Sequence, residues 1–393
     1  MSPFHRLCAF WFVYMGSLGM FFPFYGLYLG AHAGLSGIQV GAVLSMLPLV
    51  GLLAQPFWGQ AADRSGARSG VLALVAIGAG LAQLLLQQAS GFTQLLLATG
   101  VLALFASAVM PMAFSVSLAV LQRDGRHAFG LARASGTVGY LLLVVAFPLV
   151  LHALAGRAAD AAGAPDALGW MFPAIALLAV VAGAIAWTLP HEGAVALRAP
   201  RDGLAQLLRH GPMLRVLAYT FVAYLFLNGP IQLFPLFVRS LGGGLDDVSR
   251  MWVWMLLLEI PLVAWSGTLR VHVGARGLIA IGVFASGVRW AGSAFAEDLG
   301  VATVLGLLHG VAVVGLGIGG PLYVEEVVPP GLRSTGQALL SAIGIGLGGI
   351  LSNLLCGWLF DRVGAELTYL GCGVGGLLLG VLTPLVLPRA VRQ

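Results

Sequence analysis

Apolar residues along this chain come in runs of about twenty, divided by short clusters of charged and turn-forming residues. A helix rises about 1.5 Å per residue, so about twenty apolar residues cross the hydrocarbon core of a bilayer. The pattern predicts helical spans over 7–30, 38–60, 70–89, 94–120, 128–152, 169–189, 212–239, 249–270, 276–296, 300–326, 335–359 and 366–387. The longest polar interruption runs from Pro190 to Gly211 and holds His191, Glu192, Arg198, Arg201, Asp202 and Arg209. It divides the chain into a six-helix half over 1–189, a central loop over 190–211 and a second six-helix half over 212–393. The first run resembles a signal peptide in having Arg6 before it and Ala31-His32-Ala33 after it. Its length and Pro23 fit a first transmembrane helix better.

Composition sharpens this picture. Hydrophobic residues make up 59% of the 393 and charged residues only 9%, against about 25% charged in a soluble domain. A soluble protein so poor in charge has little to show water. Glycine stands at 56, and small residues let helix backbones approach closely where lipid removes the hydrophobic drive for association. The net charge of +5 comes entirely from arginine, with no dense basic run to hold nucleic acid. Cys8, Cys356 and Cys372 are scattered through apolar stretches and read as small buried hydrophobes. They have neither disulfide-framework nor metal-ligand spacing.

Arginine placement sets the orientation. With the N-terminus inside, the cytoplasmic side receives Arg6, Arg64, Arg68, Arg123, Arg126, Arg198, Arg201, Arg209, Arg215, Arg270, Arg276, Arg333, Arg389 and Arg392. The outer side receives only Arg157, Arg239, Arg250 and Arg362. Both termini are therefore expected in the cytoplasm of a bacterium, with the chain in the inner membrane. The halves also echo one another. Phe22-Pro23-Phe24-Tyr25 matches Phe234-Pro235-Leu236-Phe237, and Gly59, Gly66 and Arg68 match Gly267, Gly274 and Arg276. A duplicated six-helix unit places a binding site at the repeat interface, near the membrane midplane.

The segment Gly59-Gln-Ala-Ala-Asp63-Arg64-Ser-Gly66-Ala-Arg68 resembles the loop signature of the major facilitator superfamily. The resemblance implies an all-α membrane protein of about twelve helices in two pseudo-symmetric six-helix bundles. It also implies that Gly59, Asp63, Arg64, Gly66 and Arg68 form a cytoplasmic gating loop. In the second copy Val271 stands where Asp63 does, so only the first latch is complete. Helix 5, with Phe129-Gly130-Leu-Ala132-Arg133, and helix 9, with Val288-Arg289-Trp-Ala-Gly292, resemble the lactose-permease-like branch. That branch includes oligosaccharide, nucleoside and 3-phenylpropionate proton symporters. Its pattern has a glutamate where this chain has Ser115, a proton-carrying glutamate where it has Ala312, and a lysine where it has Gly306. Glu259, Arg289 and Leu308-His309-Gly310 look closest to the 3-phenylpropionate transporters.

Charged residues within spans cost on the order of 3 kcal/mol each and mark function. Arg133, Arg289, His309 and Ser115 are the candidate substrate-binding residues, and Glu259 with His309 the candidate proton-coupling pair. Glu259 is expected to pair with Arg289 in the empty carrier. An anionic substrate then competes for the arginine, and Glu259, losing its partner in a dry site, takes up a proton. The competing readings are a structural ion pair for Glu259 and Arg289, a packed core histidine for His309 and a snorkelling side chain for Arg133. Glu325 and Glu326 read as interface residues, and Trp11, Tyr14 and Phe21 as packing, with Trp11 and Tyr14 kept as weak site candidates.

The expected protein is a monomeric uptake symporter for a small organic solute, with protons and lipid as its other partners and no cofactor, metal or nucleic acid. Helix 5 lacks the Gly-Pro-x-x-Gly-Gly kink of the superfamily's efflux antiporters, which favours uptake. Two intramembrane arginines point to an aromatic carboxylate such as 3-phenylpropionate. The alternatives are a sugar or nucleoside proton symporter, or a proton-independent facilitator or exporter. An enzyme is disfavoured because the chain has no His-Glu-x-x-His, no acidic metal cluster and no Gly-x-Ser-x-Gly. A sensor on this scaffold would add a soluble signalling domain.

Overall fold

Lipid offers no hydrogen bonds, so a chain that crosses it must satisfy its backbone internally, and helices do so within one segment. The computed structural model of the protein describes residues 2–121, 125–155, 165–190 and 203–388, and every regular element among them is helical. In the first half these are α1 (Pro3–Leu27, continued by a π-helical turn Tyr28–His32), α2 (Gly37–Ser65), α3 (Arg68–Gln88), α4 (Gly91–Val120), α5 (Gly125–Ala155) and α6 (Met171–Trp187). In the second half they are α7 (Gly211–Gln232, with a short continuation Phe234–Ser240), α8 (245–273), α9 (275–293), α10 (Leu299–Val327), α11 (333–363) and α12 (365–386).

Two pairs need explanation. Leu245–Ser293 is one continuous 49-residue stretch, and Thr335–Val386 is another of 52. Straight, each would reach about 70 Å or more, over twice the hydrocarbon thickness. Each turns back at a glycine with non-helical angles, Gly274 (φ 70°) and Gly364 (φ 81°). A side chain there would strain the left-handed backbone. Counting both arms of each rod, and adding the 17-residue α6 to the other seven long apolar helices, gives twelve among the described residues.

The positive-φ glycines carry the duplication further than the sequence echo does. Gly34 pairs with Gly242 and Gly66 with Gly274, in each case 208 residues apart. The chain divides into two compact units: Met1–Leu35 with Met46–Ala196 and Gly244–Ser249, and Ser36–Ser45 with Leu197–Gly243 and Arg250–Gln393. Within the first, Leu7, Phe10, Trp11 and Phe24 of α1 are fully buried, and α1 packs mainly on α5. Within the second, α7 lies on α11 and α12; Tyr219 and Thr383 hydrogen-bond at 2.6 Å. Leu53 and Leu385 are each 80% exposed. Such outward leucines belong on a lipid-facing surface rather than a wet one.

The structure departs from the predicted spans at two helices. The seventh breaks at Leu233, between Pro230 and Pro235, because proline removes a backbone donor and crowds the preceding turn. The tenth loses α-helical form at Leu307 and Leu308, resumes over His309–Ala312 and passes into a π-helical stretch, Val313–Ile318. Within the expected central loop, residues 191–202 lie outside the described residues, with His191, Glu192, Arg198, Arg201 and Asp202. So do Arg123, Arg157, Arg389 and Arg392, and the side chain of Arg126.

Candidate functional site

In the second unit the break in α10 positions the chemistry. His309 begins the first helical turn after the break. The neighbouring Gly310 is the reason α10 can lie against α8: a Cβ there would sit 2.7 Å from Glu259 Cα and 3.1 Å from Glu259 N. That is backbone, which cannot swing aside. The approach brings His309 Nε2 to 3.7 Å from Glu259 Oε2, within charge-contact range but beyond hydrogen-bond reach. Gly310→Ala is expected to wedge the two helices apart, lower stability by about 1–3 kcal/mol and abolish solute binding. Thermal unfolding and a binding titration of the variant check this; wild-type values for both would mean the helices yield without consequence.

Arg289 comes from α9 and is 2% exposed. Its guanidinium lies over the Trp290 ring at 4.1 Å and the Phe234 ring at 5.4 Å. Its Nη1 is 3.1 Å from His309 Nδ1, and its Nη2 is 3.0 Å from Met255 Sδ. A guanidinium has donors only. His309 Nδ1 therefore accepts, which places the ring proton on Nε2, the nitrogen facing Glu259. Trp252 meets the imidazole in a T-shaped contact at 5.9 Å. The pairing expected between Glu259 and Arg289 thus runs through His309, which stands between them.

The first unit holds the other predicted arginine. Arg133 on α5 lies over the Trp11 ring at 5.0 Å, and Trp11 Nε1 donates to Ser117 Oγ at 3.0 Å. Trp11, carried from the sequence mainly as packing, is the platform of this arginine. Ser117 fixes the indole. Ser115, two residues earlier on α4, is half-buried. Tyr14 and Phe21 are buried, and Phe21 stacks on Tyr25 at 4.5 Å, as packing residues do.

The loop between α2 and α3 is closed by Arg68 Nη2, which donates to Asp63 Oδ1 at 2.9 Å around Gly66 (φ 65°). Arg64 is exposed, and Gly59 has open space where a Cβ would be. In the second copy Val271 is exposed and Arg276 Nη1 instead donates to the Leu387 carbonyl at 3.3 Å. Glu325 pairs with Arg333 at 3.3 Å and Glu326 with Arg270 at 3.2 Å, so these glutamates belong to ion pairs at the end of α10.

One polar group escaped the sequence reading. Asn228 Nδ2 on α7 donates to Asn353 Oδ1 on α11 at 2.9 Å, and Asn353 is 1% exposed. Beside it Gly229 N donates to Ser352 Oγ at 2.6 Å. Uncharged amides in apolar runs are a weaker flag than charges, yet they cost energy in lipid and offer hydrogen bonds.

Twelve apolar helices among the described residues, with ionisable side chains held between helices of the second unit, make this a multi-spanning membrane protein. Residues 4–371 match the model of the MFS_1 like family, and the chain belongs to that family. It is 28% identical to a maltose permease of Geobacillus stearothermophilus, over 98% of this chain and 94% of that one. It is 22% identical to a raffinose permease of Escherichia coli, over 93% and 88%. The solved structure of the nucleoside transporter NupG superposes with a TM-score of 0.86 at 16% identity, over 98% of this chain and 99% of that one. The protein is thus a multi-pass secondary transporter of the major facilitator fold.

Proposed function

We propose that the protein is a proton-coupled symporter of a hydroxyl-rich solute, a di- or oligosaccharide. Arg289 carries the reading: a buried guanidinium on an aromatic shelf, hydrogen-bonded to the histidine that faces Glu259. Aromatic faces take the apolar face of a sugar ring while a fixed fork of donors takes its hydroxyls. The amides of Asn228 and Asn353 add neutral hydrogen-bonding capacity. In this reading Glu259 carries the proton, with His309 as its link to the arginine. The permeases of maltose and raffinose support a sugar over the aromatic carboxylate expected from the arginines alone. A nucleoside is the second reading, favoured by the match to NupG.

The deciding experiment is the thermal unfolding midpoint of the purified protein with maltose, raffinose, uridine or 3-phenylpropionate. A solute at about 100 times its dissociation constant stabilises its binder by roughly 2.7 kcal/mol. A shift with a sugar alone is the expected result. A shift with uridine alone replaces the sugar with a nucleoside, and one with the acid alone overturns both.

A further inference from the structure

The structure brings together two side chains that the sequence leaves apart. Cys356 on α11 and Cys372 on α12 face each other with their sulfurs 3.5 Å apart, and both are buried. The chain between them reverses at Gly364, eight residues from each. The two arms are equal, so the cysteines lie at one depth in the hairpin. Cys356 also fills the space against α7 where Gly229 has no side chain. Tyr369, one turn before Cys372 on the same face, donates to the Pro230 carbonyl at 2.7 Å and stacks on Phe237 at 4.5 Å. Its ring meets Trp290, the shelf of Arg289, edge-on at 5.5 Å.

We propose that Cys356 and Cys372 form a dithiol modification site that closes to an intrachain disulfide and staples α11 to α12. A disulfide needs a sulfur separation of about 2.05 Å, so closure takes up about 1.5 Å. Hydrogen peroxide, small and membrane-permeant, is the oxidant. One thiol attacks its O–O bond, giving a sulfenic acid and water. The second sulfur then displaces the sulfenic oxygen, which leaves with the second thiol's proton as water. Two thiols lose two electrons and one peroxide becomes two waters. A bond here constrains the hairpin that carries Tyr369 and, through it, the wall beneath Arg289.

The test treats the purified full-length protein with hydrogen peroxide, then denatures it and alkylates the remaining thiols. The expected result is loss of two of the three alkylatable cysteines, with peptide mass analysis joining Cys356 to Cys372 and leaving Cys8 labelled. Dithiothreitol restores all three. The thermal midpoint rises on oxidation and returns on reduction, and C356S shows neither change. Alkylation of all three thiols after peroxide overturns the site. So does irreversible oxidation of each sulfur without a cross-link. A cross-link with no rise in midpoint overturns the staple.

Discussion

Glu259→Gln is expected to leave solute exchange intact and to abolish accumulation driven by a proton gradient. Glutamine keeps the size of the side chain and its hydrogen-bonding reach but cannot ionise. The carboxylate stands 3.7 Å from His309 Nε2, and the imidazole's other nitrogen is 3.1 Å from Arg289. A negative charge at Glu259 therefore stabilises the proton on Nε2 and, through the ring, the orientation that meets the guanidinium. In the proposed cycle, solute drawing on Arg289 disturbs this line, and protonation of Glu259 relieves it. Loading of solute and proton are then linked thermodynamically, which symport requires. With one proton per solute, an inside-alkaline step of one pH unit sustains about a tenfold accumulation, since one unit is about 1.36 kcal/mol. In proteoliposomes the variant should fall to about onefold under that gradient while counterflow persists. Full accumulation by the variant would remove Glu259 from the coupling and leave a facilitator or a different proton carrier.

Arg289→Lys is expected to weaken solute binding by about 100-fold while the protein still folds. Charge is conserved, so the loss measures geometry. The guanidinium uses its plane against Trp290 and Phe234 and its fork toward His309 and Met255 at once. A lysine ammonium is a compact point charge that matches neither arrangement. A hundredfold loss is about 2.7 kcal/mol, which the loss of a desolvated stacked cation at about 2 kcal/mol and part of a charged hydrogen bond at about 1.5–3 kcal/mol supplies. The readout is the dissociation constant of the solute that stabilises the wild type, beside the thermal midpoint of each protein. Affinity within about threefold of wild type, on the scale of RT ln K, would reduce Arg289 to a structural cation.

The two arginines were visible because charge inside an apolar run is costly wherever the run packs. Their platforms were less so. In sequence Trp11 is one aromatic among several in an apolar run; its role depends on Arg133 over its ring and Ser117 at its indole nitrogen, both distant along the chain. Ser115 stands two residues before Ser117, the hydroxyl that meets the Trp11 indole. The Asp63–Arg68 pair was readable because it is local: five residues apart, around a glycine turn. The same locality let the missing acid at Val271 be seen in advance.

What the sequence determined by itself was the membrane class, the run of about twelve apolar helices and the places where charge enters them. Those follow from transfer energy and helix rise, which act residue by residue along one strand of chain. Tertiary structure alone decided that His309 lies between Arg289 and Glu259, that Asn228 meets Asn353 and that Cys356 meets Cys372. Each of those depends on how near two helices come. That distance is set by side chains on both, as at Gly310, where the absence of one carbon lets α10 rest on the backbone of α8.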